Sequence, residues 1–220
     1  RLGYGDSNHR GDGPGEMGDN LPAVDLGTGL TAKQITAGDS HTCALLSDNT
    51  VKCWGLGNDG RLGYGDSNHR GDGPGEMGNA LPAVDLGTGL TAKQISAGAF
   101  HTCALLSDDS VKCWGRALYG SLGNGDSNSR GDGAGEMGNA MPAIGLGTGL
   151  TAKQISVGRL HTCAILSNNS VKCWGAGFDG RLGYGDGETR GDGAGEMGDA
   201  LPTIGLGTGL TAKQISAGND

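Results

Sequence analysis

The chain has 220 residues, of which 47 are glycine and 6 proline, against 3 Trp, 4 Tyr and 2 Phe. That glycine load excludes long helices, since each interior Gly costs about 1 kcal/mol relative to Ala. Collagen is excluded because Gly does not recur at every third position, and apolar runs such as Cys43-Ala44-Leu45-Leu46, returning at regular spacing, argue against disorder. A formal charge of −8 disfavours nucleic acid and anionic lipid as partners. No apolar stretch approaches the ~20 residues of a membrane helix, so no membrane insertion is expected. The chain opens on Arg1 without an initiator Met or signal peptide, as expected of a processed chain or a fragment.

In chain order, residues 6–20 form a long polar loop rich in Gly, Asp and Asn. Residues 21–26 are a short predicted strand with Pro22 near its start, where a missing N–H is tolerated. Gly27-Thr28-Gly29 turns the chain into a second strand over 31–37, ended by Gly38. Residues 41–47 and 50–55 are two further strands, joined at Asp48-Asn49 into a hairpin. Residues 56–60 are a loop, after which the series starts again. Arg1-Leu2-Gly3-Tyr4-Gly5-Asp6 returns at 61–66, then with changes at 121–126 and 181–186, without insertion or deletion. Between the first two 60-residue periods 49 positions are identical.

Fixed periods of this length indicate propellers, solenoids or arrays. Four short strands per period predict an all-β protein, a β-propeller-type array of four-stranded antiparallel blades. Residues 1–220 form one array, with repeats 1–60, 61–120 and 121–180 and a partial repeat 181–220. If residues 31–37 are an inner strand, the outer strand of that blade comes from the next period, 81–86. Three full blades then leave 21–26 and 211–217 as orphan strands. Three blades are too few for a ring, so an open or partial propeller with edges that need partners is expected.

The motif Gly38-x-x-His41-Thr42-Cys43-Ala44-Leu45, then Val51-Lys52-Cys53-Trp54-Gly55 and Gly60-Arg61-Leu62-Gly63, resembles the regulator-of-chromosome-condensation (RCC1) repeat. It recurs at 98–123 and 158–183. Asn49, Asp109 and Asn169 stand where that family often has Gly, and Arg61, Ser121 and Arg181 where it has Gln. The resemblance implies a seven-bladed propeller, about twice this length. Paired cysteines and a long Asp-rich loop resemble secreted bacterial members, which implies a secreted or cell-surface location.

Cys43/Cys53, Cys103/Cys113 and Cys163/Cys173 stand ten residues apart across each hairpin, opposite one another about the turn. Opposed non-hydrogen-bonded positions lie within disulfide reach, and local even pairs point to disulfides in an oxidising compartment. Small buried thiols, or a zinc site with His41, are the competing readings; zinc lacks a fourth ligand. His41, His101 and His161 occupy one slot per repeat, whereas catalysis needs a histidine once per site. They are read as structural, and no enzyme activity is expected. Trp54, Trp114 and Trp174 are read as packing between blades, with stacking platforms for sugar or peptide as the alternative. No cofactor is expected. Asp6, Asp12 and Glu16 are the calcium candidates of the long loop, but an EF-hand register fails because Arg10 falls on a ligand position. The competing reading is a folded loop held by an Arg10–carboxylate pair. Arg10-Gly11-Asp12, an integrin-type tripeptide, lies within the repeat pattern.

Function is expected where repeats differ. The pair before His-Thr reads Asp39-Ser40, Ala99-Phe100, Arg159-Leu160 and Asn219-Asp220. The loop after Trp-Gly carries Leu118 and Tyr119 in the second period and Phe178 in the third. Phe100, Leu118, Tyr119, Arg159, Leu160 and Phe178 are therefore the candidate partner-binding residues, with drift in tolerant loops as the competing reading. The expected partner is a protein or glycan. The alternative is further copies of the chain, assembled end to end into a fibre or surface array.

Overall fold

The computed structural model describes residues 2–219; Arg1 and Asp220, which belong to the repeated opening and to the fourth variable pair, lie outside the described residues. Nine strands fall into three antiparallel sheets: β1 Ala32–Ala37, β2 His41–Leu46 and β3 Val51–Gly55; β4 Ala92–Ala97, β5 His101–Leu106 and β6 Val111–Gly115; β7 Ala152–Val157, β8 His161–Leu166 and β9 Val171–Gly175. The register shifts between Ala32 and Gln34, and again at the same point of each period, so one residue of each inner strand bulges. Asn49, Asp109 and Asn169 close the hairpins with φ of 67°, 66° and 66°. Asn and Asp tolerate this left-handed conformation better than other side chains, which explains why they substitute for Gly there.

The fourth strand is corrected. Residues 81–86 run beside β3 as the expected outer element, but a single ladder bond, from Val84 N–H to the Val51 carbonyl at 2.8 Å, joins them. Pro82 has no N–H to donate, so pairing stops at one bond and the blade is three-stranded with an extended flank. Residues 21–26 and 211–217 are likewise extended without being strands. No fourth His-Thr-Cys segment is present in the sequence to pair with 211–217.

Side chains alternate between two buried faces. Cys43, Leu45, Val51 and Cys53 of the first blade pack against Ile95, Ala104, Leu106 and Trp114 of the second. The second and third blades repeat the arrangement, with Cys103, Leu105, Val111 and Cys113 against Ile155, Ala164, Leu166 and Trp174. The hydrophobic core therefore lies between blades. Close approach is enforced by Gly98, where a Cβ would collide with the Gly158 carbonyl of the next blade. At the start of the row Ile35 is 65% exposed, whereas Ile95 and Ile155 are 1% exposed.

Candidate functional site

The residues that recur in every repeat are occupied by the fold. His41 Nε2 lies 2.8 Å from Thr102 Oγ1, and that hydroxyl donates to the Arg61 carbonyl at 3.1 Å. The hydroxyl proton is thus committed, so His41 is the donor through Nε2, and its Nδ1 is buried without a hydrogen-bond partner. His101, Thr162 and the Ser121 carbonyl repeat the relay. Burial holds His41 and His101 down at about 3, with the Arg61 charge adding to the effect at His41. The histidines are structural, as expected, and join neighbouring blades through a threonine hydroxyl that in turn holds a backbone carbonyl. Trp114 and Trp174 are fully buried and donate to the carbonyls of Arg61 and Ser121, so they pack and tie blades and offer no stacking platform.

Each cysteine pair forms a disulfide within its own hairpin. Cα separations are 4.1, 4.1 and 4.0 Å, at directly opposed register positions. The thiols proposed for zinc are consumed, and among the described residues no three His, Cys, Asp or Glu side chains converge as a metal-ligand set.

The long loop uses its own carboxylates. Asp6 accepts from Asn8 N–H and Arg10, the latter at 2.6 Å, and both bonds lower its pKa. Glu16 Oε2 accepts three successive backbone N–H groups, of Gly11, Asp12 and Gly13, at 2.8, 3.1 and 3.0 Å. The Gly13 bond leads the resulting fall in its pKa. Asp12 contributes its N–H to that turn. The carboxylates of Asp6 and Glu16 thus bond within the loop, as the reading of a folded loop with an Arg10–carboxylate pair expects, and Glu16 takes the role of an anion seated in a backbone nest.

The non-repeating residues meet. Phe100 and Leu160 directly precede β5 and β8, Leu118 and Tyr119 sit in the 3₁₀ turn Leu118–Gly120, and Phe178 opens the turn Phe178–Gly180. The 60-residue period places these slots on adjacent blades at the same end. All six candidates, joined by Arg181, line one shallow cleft of about 380 Å³. The Tyr119 and Phe178 rings meet edge to face with centroids 5.3 Å apart. Arg181 stacks over Phe178 at 4.1 Å, and Arg61 and Arg116 lie 5.6 and 6.0 Å from the Phe100 ring. Tyr119 is 47% exposed and Phe178 37%. Tyr119 also holds φ at 55°, where the equivalent positions carry Asp59 and Asp179. A left-handed aromatic residue is costly to the backbone and gains little burial in return, a combination that concentrates at ligand sites. A larger hollow of about 760 Å³ lies among the long loops, lined by Ser67, Asn68, His69, Arg70, Asp72 and Glu76. Its Arg70 is already paired with Asp66 and its Glu76 with loop N–H groups, so the cleft is the better candidate.

Arg116 and Arg181 were not among the sequence candidates. Arg181 belongs to a repeated slot, and its stacking on Phe178 depends on tertiary contact. Arg116 stands where the first and third periods have Leu56 and Ala176, a difference that did signal it.

The regulator of chromosome condensation (RCC1) repeat pattern matches residues 32–61, 92–121 and 152–181, and a second form of it matches 48–105. The ultraviolet-B receptor UVR8 of Arabidopsis thaliana is 37% identical over 155 residues, 70% of this chain and 32% of that protein. The human E3 ubiquitin-protein ligase HERC2 is 28% identical over 71% of this chain and 3% of its own length. Among solved structures, human WBSCR16 matches 87% of this chain and 44% of its own, with a TM-score of 0.63 and 18% identity. Saccharomyces cerevisiae Prp20p, whose crystal structure was described with its binding properties to Gsp1p and histones, matches 86% of this chain and 42% of its own, with a TM-score of 0.62 and 20% identity. The chain thus spans about a third of UVR8 and less than half of either solved protein.

Proposed function

The chain belongs to the RCC1 repeat family, and on that premise we propose that it is a non-catalytic propeller module that binds a protein partner in the cleft of Phe100, Leu118, Tyr119, Arg159, Leu160 and Phe178. The observation that carries this reading is the convergence of these six non-repeating side chains on one site. A scaffold needs the same residue in the same slot of each blade, and these six depart from it together. Aromatic and Arg anchors dominate interface energetics, often at about 2 kcal/mol or more each. A protein-binding role is also consistent with what is described for Prp20p. Three disulfides support an oxidising, extracellular setting for the module.

The test uses residues that the other periods already accept. Leu118→Asn, Tyr119→Asp and Phe178→Asn restore the side chains of Asn58 and Asp59, so folding is kept. Twelve-residue peptides selected from a displayed random library should bind the native protein and lose at least tenfold in affinity against the triple variant. Equal binding to both proteins overturns the reading, and a panel of oligosaccharides that binds where no peptide does redirects it to glycans.

End-to-end assembly is the second reading. It is favoured by the way successive blades join, each capping the inner strand of the next as Gln34 and Thr36 cap Ile95 and Ala97, a contact that a second copy could reproduce. Particle mass that rises with concentration supports it, and a constant monomer mass excludes it.

A further inference from the structure

Four arginines surround the cleft in a protein whose net charge is −8. Arg61 is paired with Asp59 at 3.1 Å and Arg181 with Asp179 at 3.2 Å. Arg116 and Arg159 are exposed, and among the described residues neither is paired with a carboxylate. The charges are close enough to oppose one another, since Arg116 adds to the burial that lowers the Arg61 pKa. Both of these arginines occupy slots where other periods carry no positive charge: Leu56 and Ala176 for Arg116, Asp39, Ala99 and Asn219 for Arg159. Positive charge has thus been concentrated at the place where the apolar side chains are exposed.

Resting on the reading of the cleft as a protein-binding site, we propose that its ligand is an acidic peptide segment: an aromatic or aliphatic side chain seated against Phe100, Tyr119 and Phe178, flanked by carboxylates facing Arg116 and Arg159. Unpaired guanidinium groups at an apolar surface gain most from a planar carboxylate, which they hold bidentately. Steering by the local field would be lost as salt rises past the screening length of about 10 Å at 0.1 M. A nucleic-acid ligand fits less well, because the acidic remainder of the surface repels a long phosphate backbone.

The probe is a fluorescein-labelled nonapeptide with Leu-Phe at its centre and two Asp on each side, compared with the same peptide carrying Asn for every Asp. Fluorescence anisotropy at 50 mM NaCl should show the Asp peptide binding at least tenfold more tightly. The advantage should shrink at 500 mM NaCl and vanish in Arg116→Leu/Arg159→Asn, substitutions that other periods carry naturally. Equal affinity for the two peptides, or an Asp advantage that survives in the double variant, overturns the acidic assignment. So does tighter binding of a labelled ten-nucleotide thymidine strand. Library peptides that depend on Tyr119 and Phe178 yet carry no acidic residue would refute this inference while leaving the cleft as the binding site. Peptides independent of both would refute the two together.

Discussion

The side-chain amide of Gln34 donates to the carbonyl of Ile95 at 2.8 Å and accepts from the N–H of the same residue at 3.0 Å. One glutamine on the first blade thereby satisfies the outward-facing edge of the inner strand on the second. Gln94 does the same for Ile155, and Gln154 for Ile215. Thr36, Ser96 and Ser156 add a bond to the N–H two residues further on. Inner strands of a propeller are sheet edges, and exposed edges invite mispairing. Here the side chains of the preceding blade close them.

Gln94→Ala is accordingly expected to destabilise the protein by about 2–4 kcal/mol, because it leaves a donor and an acceptor of Ile155 without partners. Gln94→Glu should also destabilise, since a carboxylate accepts from the N–H but opposes the carbonyl. Urea unfolding followed by tryptophan fluorescence measures both; an unchanged midpoint for either variant contradicts the account.

Asn124→Tyr is expected to stabilise. Tyr64 and Tyr184 each place their hydroxyl 3.0 Å from both the N–H and the carbonyl of a half-cystine, Cys53 and Cys173. The second blade has Asn124 in that slot, with its amide nitrogen buried and unpartnered. Restoring tyrosine should satisfy Cys113 and add about 1–2 kcal/mol, seen as a rise in Tm of several degrees. A lower Tm would show that the second blade has closed around the smaller side chain.

The buried histidines set an acid limit. In the unfolded chain they titrate near 6.5, whereas burial keeps His41 and His101 at about 3 in the folded state. Between these values the unfolded state binds more protons, so stability is complete above about pH 6.5 and falls as pH drops towards 3. Each histidine contributes up to about 1.4 kcal/mol per pH unit in that window. Melting temperature against pH should therefore decline from pH 6 to 4, less steeply in His101→Gln, which retains a donor for Thr162. An identical slope in that variant would assign the acid sensitivity elsewhere.

Each disulfide closes a ten-residue loop, for which chain entropy gives about 2–3 kcal/mol. Cys103→Ala/Cys113→Ala should lose about that much and remain folded, while non-reducing peptide maps of the native protein show Cys43–Cys53, Cys103–Cys113 and Cys163–Cys173. Six alkylatable thiols in the unreduced protein would contradict the pairing.

The sequence by itself determined the period, the blade hairpins, the disulfide partners and the six side chains that line the cleft. These are local or periodic properties: ten-residue symmetry about Asp48, alternation along a strand, and departure from a repeat that is otherwise kept. Tertiary structure decided the rest, because it depends on which backbone groups end up facing another blade. Pro82 reduced a predicted strand to a flank joined by one bond. Lys52 is buried in its strand and spends its ammonium on the carbonyls of Leu26 and Gly78, partners that lie outside its own hairpin. Asp6 and Glu16 fit a calcium site or a self-held loop by residue type, and in the folded chain they bond Arg10 and the Gly11 N–H of their own loop. Arg181 reads as a repeated scaffold residue until Phe178 is found beneath it. Residue type fixes what a polar side chain is able to bond. Only the packing of blades fixes which unsatisfied carbonyl, N–H or ring lies within 3–4 Å of it, and that geometry separates a structural tie from a binding site.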